Sequence, residues 1–185
     1  ASGLVPSTEL ARLIGCEVRE GRVVVDDHQR TSVPSCYAAG EPTGNTGMEA
    51  ALVEGTIAGL AAAGQGGSGA AGRLKAEREG HRRFAARAAA AFRLRPELRE
   101  RVEPDTIVCR CEDVPMSAIR HGWSGRQAKL ATRAGMGSCQ GRTCGAALEY
   151  LVGMARDTVR TPLAPTSIGV LADLASHLDE SQGAS

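Results

Sequence analysis

Four cysteines in two close pairs restrict this chain more than any other feature. Cys109 and Cys111 are separated by one residue in "VCRCEDV", and Cys139 and Cys144 by four in "RAGMGSCQGRTCG", with 27 residues between the pairs. Brought together by two loops, four thiolates can hold a zinc ion or an iron–sulfur cluster, and four buried thiols can also serve as packing. Zinc sites commonly leave about two to four residues between paired ligands, so Cys-x-Cys is tight for them. A [2Fe–2S] rhomb is longer and takes two thiolates on each iron. Glycines at 135, 137, 141 and 145 suit close approach of backbone to bridging sulfides and donation of N–H groups to them. Arg110, Arg133 and Arg142 lie beside the cysteines in sequence and would favour a reduced, more negative centre. A helix starting near Cys144 would add its positive end. Cys16 and Cys36 fall outside the pattern and read as packing residues.

Composition agrees with a chain that leans on something else for stability. Its 185 residues suffice for one ordinary domain or two small ones. Aromatic residues make up only 3%, which predicts a thin core, and a cofactor, a metal cluster or a partner subunit could supply the rest. Lys and Arg number 22 against 21 Asp and Glu, so no global field argues for nucleic acid. The first residues lack the basic start and apolar run of a signal peptide, and no stretch approaches the roughly 20 apolar residues of a membrane span. The expected compartment is a reducing cytoplasm, where paired cysteines more often bind metal or carry redox chemistry than form disulfides.

Along the chain, residues 1–63 read as part of an α/β unit. "STELARLIG" predicts a short helix capped by Ser7 and stopped by Gly15. "CEVREGRVVVDD" predicts a hairpin turning at "REG", and Asp26 and Asp27 a turn after it. "SCYAAG" reads as an apolar strand leading into a glycine-rich loop, and "MEAALVEGTIAGLAAAG" as a helix with apolar residues every three or four positions. Residues 64–103 read as a flexible linker, "GQGGSGAAG", followed by a basic helix over Arg73–Arg101 with ten basic and four acidic residues. That helix is a solvated linker or a docking face for an acidic partner. Residues 104–157 form the cysteine module, with helices expected in "PMSAIRHG", "GRQAKLATRAG" and "GAALEYLVGMARD" and with Glu112 and Asp113 as a helix-start acid pair. Residues 158–185 read as a Pro-containing arm, a short apolar helix and a frayed end.

The glycine-rich loop carries a second candidate site. A strand ending in Ala38, Ala39 and Gly40 followed by Glu41 places an acid where ligands of doubly wound sheets bind, able to accept from a ribose or ribityl hydroxyl. A helix starting near Gly47 would offer free N–H groups to a polarised oxygen. Strand, glycine, acid, loop and helix in that order also describe a plain turn. No G-x-G-x-x-G follows a strand anywhere, and "GQGGSGAAG" lies between helices, so it fails the context of a dinucleotide fingerprint. The histidines at 28, 81, 121 and 177 lack ligand-like neighbours. No Ser-His-Asp order, P-loop or basic–aromatic pattern supports a hydrolase or a nucleic-acid binder.

Two resemblances follow from these strings. "CRCEDV", "KLATRAGMGSCQGRTCG" and "ALEYL" resemble the bacterioferritin-associated-ferredoxin-like [2Fe–2S] domain. The Cys-Gln-Gly-Arg-x-Cys form resembles the version fused to flavin-dependent amine and opine oxidoreductases: opine oxidase-type α subunits, hydroxyproline and proline dehydrogenases and the hydrogen cyanide synthase B subunit. The free ferredoxin has two residues between its second pair where this chain has four, which favours the fused form. "T-x-x-x-x-x-Y-A-A-G-E" after "VVVDD" resembles the second flavin-contacting motif of flavoproteins with two dinucleotide-binding domains, with Glu41 in place of the usual Asp. The resemblance implies a partial two-dinucleotide-domain α/β fold followed by a small, mostly helical [2Fe–2S] domain. It implies Cys109, Cys111, Cys139 and Cys144 as cluster ligands, Gly40 and Glu41 at the ribityl–phosphate of FAD, and Gly47 and Met48 at the flavin pyrimidine edge.

It further implies an electron-transferring role through FAD and the cluster. The expected partners are a catalytic flavin subunit that oxidises a secondary amine or amino acid (an opine, hydroxyproline, proline or glycine) and a small ferredoxin-like subunit. By the same comparison the chain begins in mid-domain and does no bond chemistry on substrate itself. The expectation is a truncated, processed or split subunit that holds the cluster and shares FAD with an upstream half. A zinc-binding interaction module and a free-standing ferredoxin-like carrier are the alternatives.

Overall fold

A computed structural model describes residues 5–154, 159–164 and 166–174. Helix α1, Glu9–Leu13, begins after Thr8 rather than at Ser7, whose hydroxyl instead donates to Glu9 Oε2 at 2.8 Å. Gly15 ends it at φ 85°, a value that favours glycine. Strands β1 (Val18–Arg19) and β2 (Arg22–Val23) pair antiparallel around Glu20 and Gly21. Both turn residues have positive φ, the twist that a two-residue hairpin requires. Asp26 makes the expected turn: its Oδ1 accepts from the amides of His28 and Arg30 at 2.7 and 2.9 Å.

The segment expected as the "SCYAAG" strand makes only an isolated bridge, Arg30 to Tyr37, with the Ala38 amide on the Gln29 carbonyl. Sheet structure among the described residues consists of two-stranded antiparallel ribbons, so the doubly wound arrangement is not assembled here. A strand forms only where a neighbouring strand pairs with it. This segment has the Gln29–Arg30 stretch on one side and Ala51 against Gly40 on the other.

Helix α2, Met48–Ala62, follows the apolar periodicity read from sequence and buries Ala50, Val53, Ile57 and Ala61. Helix α3, Gly69–Ala91, starts earlier and stops sooner than the basic helix expected over 73–101, because Ser68 caps it by accepting from the Ala71 amide. It folds back on α2 in the most extensive contact between any two elements. Arg78 on α3 is fully buried, so this helix is not solvated all round.

In the cysteine module, strands β3 (Ile107–Cys109) and β4 (Val114–Pro115) form a hairpin that the sequence patterns did not announce. Glu112 and Asp113 lie in its turn instead of starting a helix, and Glu112 pairs with Arg133 at 2.7 Å. "PMSAIRHG" yields only a 3₁₀ turn at Met116–Ala118. Helix α4, Gly125–Thr132, is held by a reciprocal capping box between Ser124 and Gln127. Helix α5, Arg142–Val152, ends at Gly153, and the "ARD" of its expected end lies outside the described residues. A core of Val108, Cys109, Val114, Ile119, Ala128, Ala134, Cys144, Leu148 and Met154 joins these pieces. Residues 168–174 are helical, and the expected frayed end lies outside the described residues. Among the described residues, no helix is long and apolar enough to cross a membrane.

Candidate functional site

The cysteine centre is built from the end of one strand and the start of one helix. β3 carries Cys109 into the core and the following turn carries Cys111 outward. Cys109 is 1% exposed, whereas Cys111 is an exposed residue. On the other side, α4 ends at Arg133 in a left-handed conformation, and the loop over 134–141 leads into α5, whose first turn contains Cys144. Gln140 and Gly141 both have positive φ, which places Cys139 just before the first amides of α5, and the Arg142 amide donates to its carbonyl at 3.1 Å.

The thiols lie near one another two by two, Cys109 beside Cys144 and Cys111 beside Cys139. Cys139 and Cys144 interact electrostatically across the two pairs. The Gly135 amide points at Cys109 Sγ, 3.5 Å away. All six cysteines are free. Among the described residues, no three His, Cys, Asp or Glu side chains are placed so as to hold a single metal ion.

Two glycines make this approach possible. A Cβ on Gly137 would lie 2.1 Å from Cys111 Cβ and 3.1 Å from its Sγ. A Cβ on Gly135 would lie 3.4 Å from Gly141 Cα and 3.9 Å from Cys144 Sγ, and its φ of 83° already demands glycine. Four thiol donors in two pairs, an amide aimed at sulfur and glycine-thin walls fit a cluster held by four thiolates.

The thiols differ in acidity. Amides of Thr143 and, less strongly, of Gly141 at the start of α5 hold Cys139 below the ordinary thiol range, against a partial burial that opposes them. Burial, together with the neighbouring Cys109, pushes Cys144 up to about 11.

The arginines are less free than their sequence positions suggest. Arg133 is held by Glu112, and Arg142 reaches the carbonyls of Cys139 and Leu163 and, at 3.9 Å, the Glu9 carboxylate of α1. Arg110 is exposed. Arg142 therefore fastens the cysteine loop to α1 and to the 159–164 arm. These elements surround a cavity of about 610 Å³ that Cys144 lines.

The second candidate site is a cleft of about 520 Å³ against α2 and α3, which gathers Glu41, Gly47 and Met48. Gly40 is buried just behind it. Gly40 adopts φ 77° and ψ −145°, and a Cβ there would come within 3.2 Å of Ala51 Cβ, so the turn needs glycine twice over. Gly47, at φ 95°, precedes α2 and leaves that helix without a side-chain cap, so its first amides are free for a ligand. Thr46 Oγ1 also faces this region; it is buried and has no hydrogen-bond partner. An orphaned hydroxyl beside uncapped amides and an exposed carboxylate fits a polar ligand. Phe84, Ala85 and Ala88 of α3 supply an apolar wall that the sequence patterns did not assign, although Ala88 follows the other two at three- and four-residue spacings, which marks a common face.

Residues 1–67 match the pyridine nucleotide-disulphide oxidoreductase family. The chain is similar to the A subunit of opine oxidase from Rhizobium meliloti, 35% identical over 93% of this chain and 38% of that protein. It is also similar to the corresponding opine oxidase protein of Agrobacterium tumefaciens, 32% identical over 93% of this chain and 40% of that protein. The hydrogen cyanide synthase subunit HcnB of Pseudomonas aeruginosa is 33% identical over 77% of this chain and 34% of its own length. The chain thus spans about two fifths of the length of the curated relatives it matches. No solved structure matches it.

Proposed function

We propose that this chain is part of an electron-transferring oxidoreductase subunit that uses FAD and a [2Fe–2S] cluster. The observation that carries the reading is the convergence of the cysteine loops on two glycines: Gly135 lies against Cys109 and Cys144 sulfur, and Gly137 against Cys111, next to Cys139 in the chain. In this reading residues 1–63 are the C-terminal part of an FAD-binding unit, 64–103 connect it, 104–157 hold the cluster and 158–185 form an arm. The complex oxidises a secondary amine or amino acid of the opine, hydroxyproline, proline or glycine type, in the cytoplasm. Similarity to the A subunit of opine oxidase and to the hydrogen cyanide synthase subunit HcnB supports this. The partners are the upstream half of the FAD unit, a catalytic flavin subunit, and a small ferredoxin-like subunit.

When bound, the flavin accepts two electrons and releases them singly, and the cluster takes one at a time. The chain's own residues set the conditions for this. Amides of Thr143 and Gly141 favour the Cys139 thiolate, and the Gly135 amide offers a donor to Cys109 sulfur. Burial of Cys109 and Cys144 keeps water from one side of the centre, while Cys111 stays at the surface, where a partner can approach. At the other site Glu41 accepts from ribityl or ribose hydroxyls, and Thr46 and the first amides of α2 face the flavin's polar edge. No group in the chain is assigned to substrate chemistry.

Elemental and cofactor analysis of anaerobically purified protein tests the reading. The expected result is about two irons and two acid-labile sulfides per chain, both lost in Cys139→Ser. One zinc per chain with no iron would overturn it in favour of an interaction module. A cluster-loaded complex lacking flavin would leave only a ferredoxin-like carrier.

A further inference from the structure

Behind the Gly40–Glu41 turn lies a buried polar network that nothing in the local sequence announces. Glu54 on α2, Gln29 before the turn and Arg78 on α3 are all among the most deeply buried side chains, at 0%, 0% and 1% exposure. Glu54 Oε2 accepts the Gly40 amide at 2.9 Å and lies 2.8 Å from the Thr43 hydroxyl. Its Oε1 faces Arg82 of α3 at 3.4 Å. Gln29 donates through Nε2 to the Ala38 carbonyl at 2.8 Å, and its Oε1 accepts from Arg78 at 2.9 Å. Arg78 in turn holds the Asp27 carbonyl and carboxylate at 3.1 and 3.0 Å. The backbone that presents Glu41 is therefore pinned at Ala38, Gly40 and Thr43 by side chains whose other ends rest on α3.

Burying a carboxylate and a guanidinium costs several kcal/mol of desolvation each, and a plain αβ turn does not need them. The Gly40 amide, in a conformation reserved for glycine, would find no backbone acceptor in a sheet that this segment does not form. Glu54 supplies that acceptor.

Resting on the flavin reading above, we infer that Glu54 is a positioning residue for the flavin-contact turn, with Arg82 as its counter-charge and the Gln29–Arg78 pair as its lateral support. α3 thus belongs to the cofactor site and is not a spacer. Glu54 does not touch the cofactor; it fixes the backbone of the residues that do. The turn can then receive the ligand without first being ordered, which raises affinity by sparing that entropy.

The test is flavin affinity, read by fluorescence of released FAD on dilution of the assembled, natively purified complex, with visible circular dichroism of the bound flavin and iron content alongside. Glu54→Gln keeps an acceptor for Gly40 and loses the charge pairing; about tenfold weaker FAD binding is expected. Glu54→Ala loses both, and about hundredfold weaker binding with altered flavin dichroism is expected. Iron content should stay at the wild-type value in both, because the cysteine module does not touch Glu54. Wild-type affinity and dichroism in a Glu54→Ala variant that melts at a lower temperature would assign Glu54 a purely structural role and overturn the inference. If Glu54→Ala does not fold, Glu54→Gln with unchanged affinity overturns it equally. A wild-type complex without any FAD would overturn the flavin reading itself, and the inference with it.

Discussion

Substituting Gly137 by alanine adds one methyl group where the structure has no room for it. The new Cβ would stand 2.1 Å from Cys111 Cβ, 3.1 Å from its Sγ and 3.5 Å from its Cα. Carbon atoms sit comfortably at about 3.5–4.0 Å, so the loop and the Cys111 turn must part by roughly 1.5 Å. Gly137 does not occupy a left-handed conformation, so the penalty is contact alone and not backbone strain. Overpacking of this kind costs about 1–3 kcal/mol, which corresponds to a fall in melting temperature of about 4–8 °C for 2 kcal/mol. The displaced atom belongs to a proposed cluster ligand, so iron and sulfide per chain should fall together with stability. Gly145 provides the control, since it lies in α5 and a Cβ there would meet nothing within 4 Å. Gly145→Ala should stabilise by up to about 1 kcal/mol, through helix propensity, and leave the iron content unchanged. Calorimetry and metal analysis of the two variants side by side decide the matter. Full iron and an unchanged melting temperature in Gly137→Ala would refute the close approach of the two loops.

Other consequences are as direct. Arg78→Ala, which leaves the buried Gln29 Oε1 without its charged partner, should lower stability by about 1–3 kcal/mol in denaturant unfolding, whereas Arg87→Ala on the same helix should change it little. In metal-free protein, alkylation followed by peptide mass spectrometry should label Cys139 well before Cys144. The amides at the start of α5 favour the Cys139 thiolate, while burial holds Cys144 near 11. Partial burial opposes ionisation of Asp26, but the Arg30 and His28 amides outweigh it and hold its carboxyl below the ordinary value of 3.8. Its folded-state value is depressed, so its contribution is present above pH 3.8 and is lost as the pH falls through the lower, folded value. The stability gap between wild type and Asp26→Ala should therefore be full at neutral pH and shrink on acidification, as followed by thermal melts.

What could be read in advance divides along physical lines. Local signals carried well: the Glu20–Gly21 turn, the apolar stripe of α2 and the glycines flanking the cysteines are each set by neighbours in sequence. Non-local partners did not carry. Arg78 sits in a run of arginines that looks uniformly solvated, and nothing within that run distinguishes it from Arg87. Its burial depends on Gln29 and Asp27, about fifty residues away. Glu54 reads as an ordinary polar residue on an apolar helix face until the Gly40 amide is seen to need an acceptor. The "SCYAAG" segment has strand-like residues, yet a strand exists only where a neighbour pairs with it. The β3–β4 hairpin was hidden because its turn, Arg110–Asp113, carries charges and a cysteine in place of the usual turn residues.

Electron paramagnetic resonance of the anaerobically purified protein, before and after reduction, decides whether the four thiols hold a two-iron cluster. A brown, resonance-silent oxidised form is expected, which on one-electron reduction yields a single unpaired spin per chain, absent from Cys139→Ser. A colourless protein that remains silent after reduction and carries zinc on the same cysteines would contradict it.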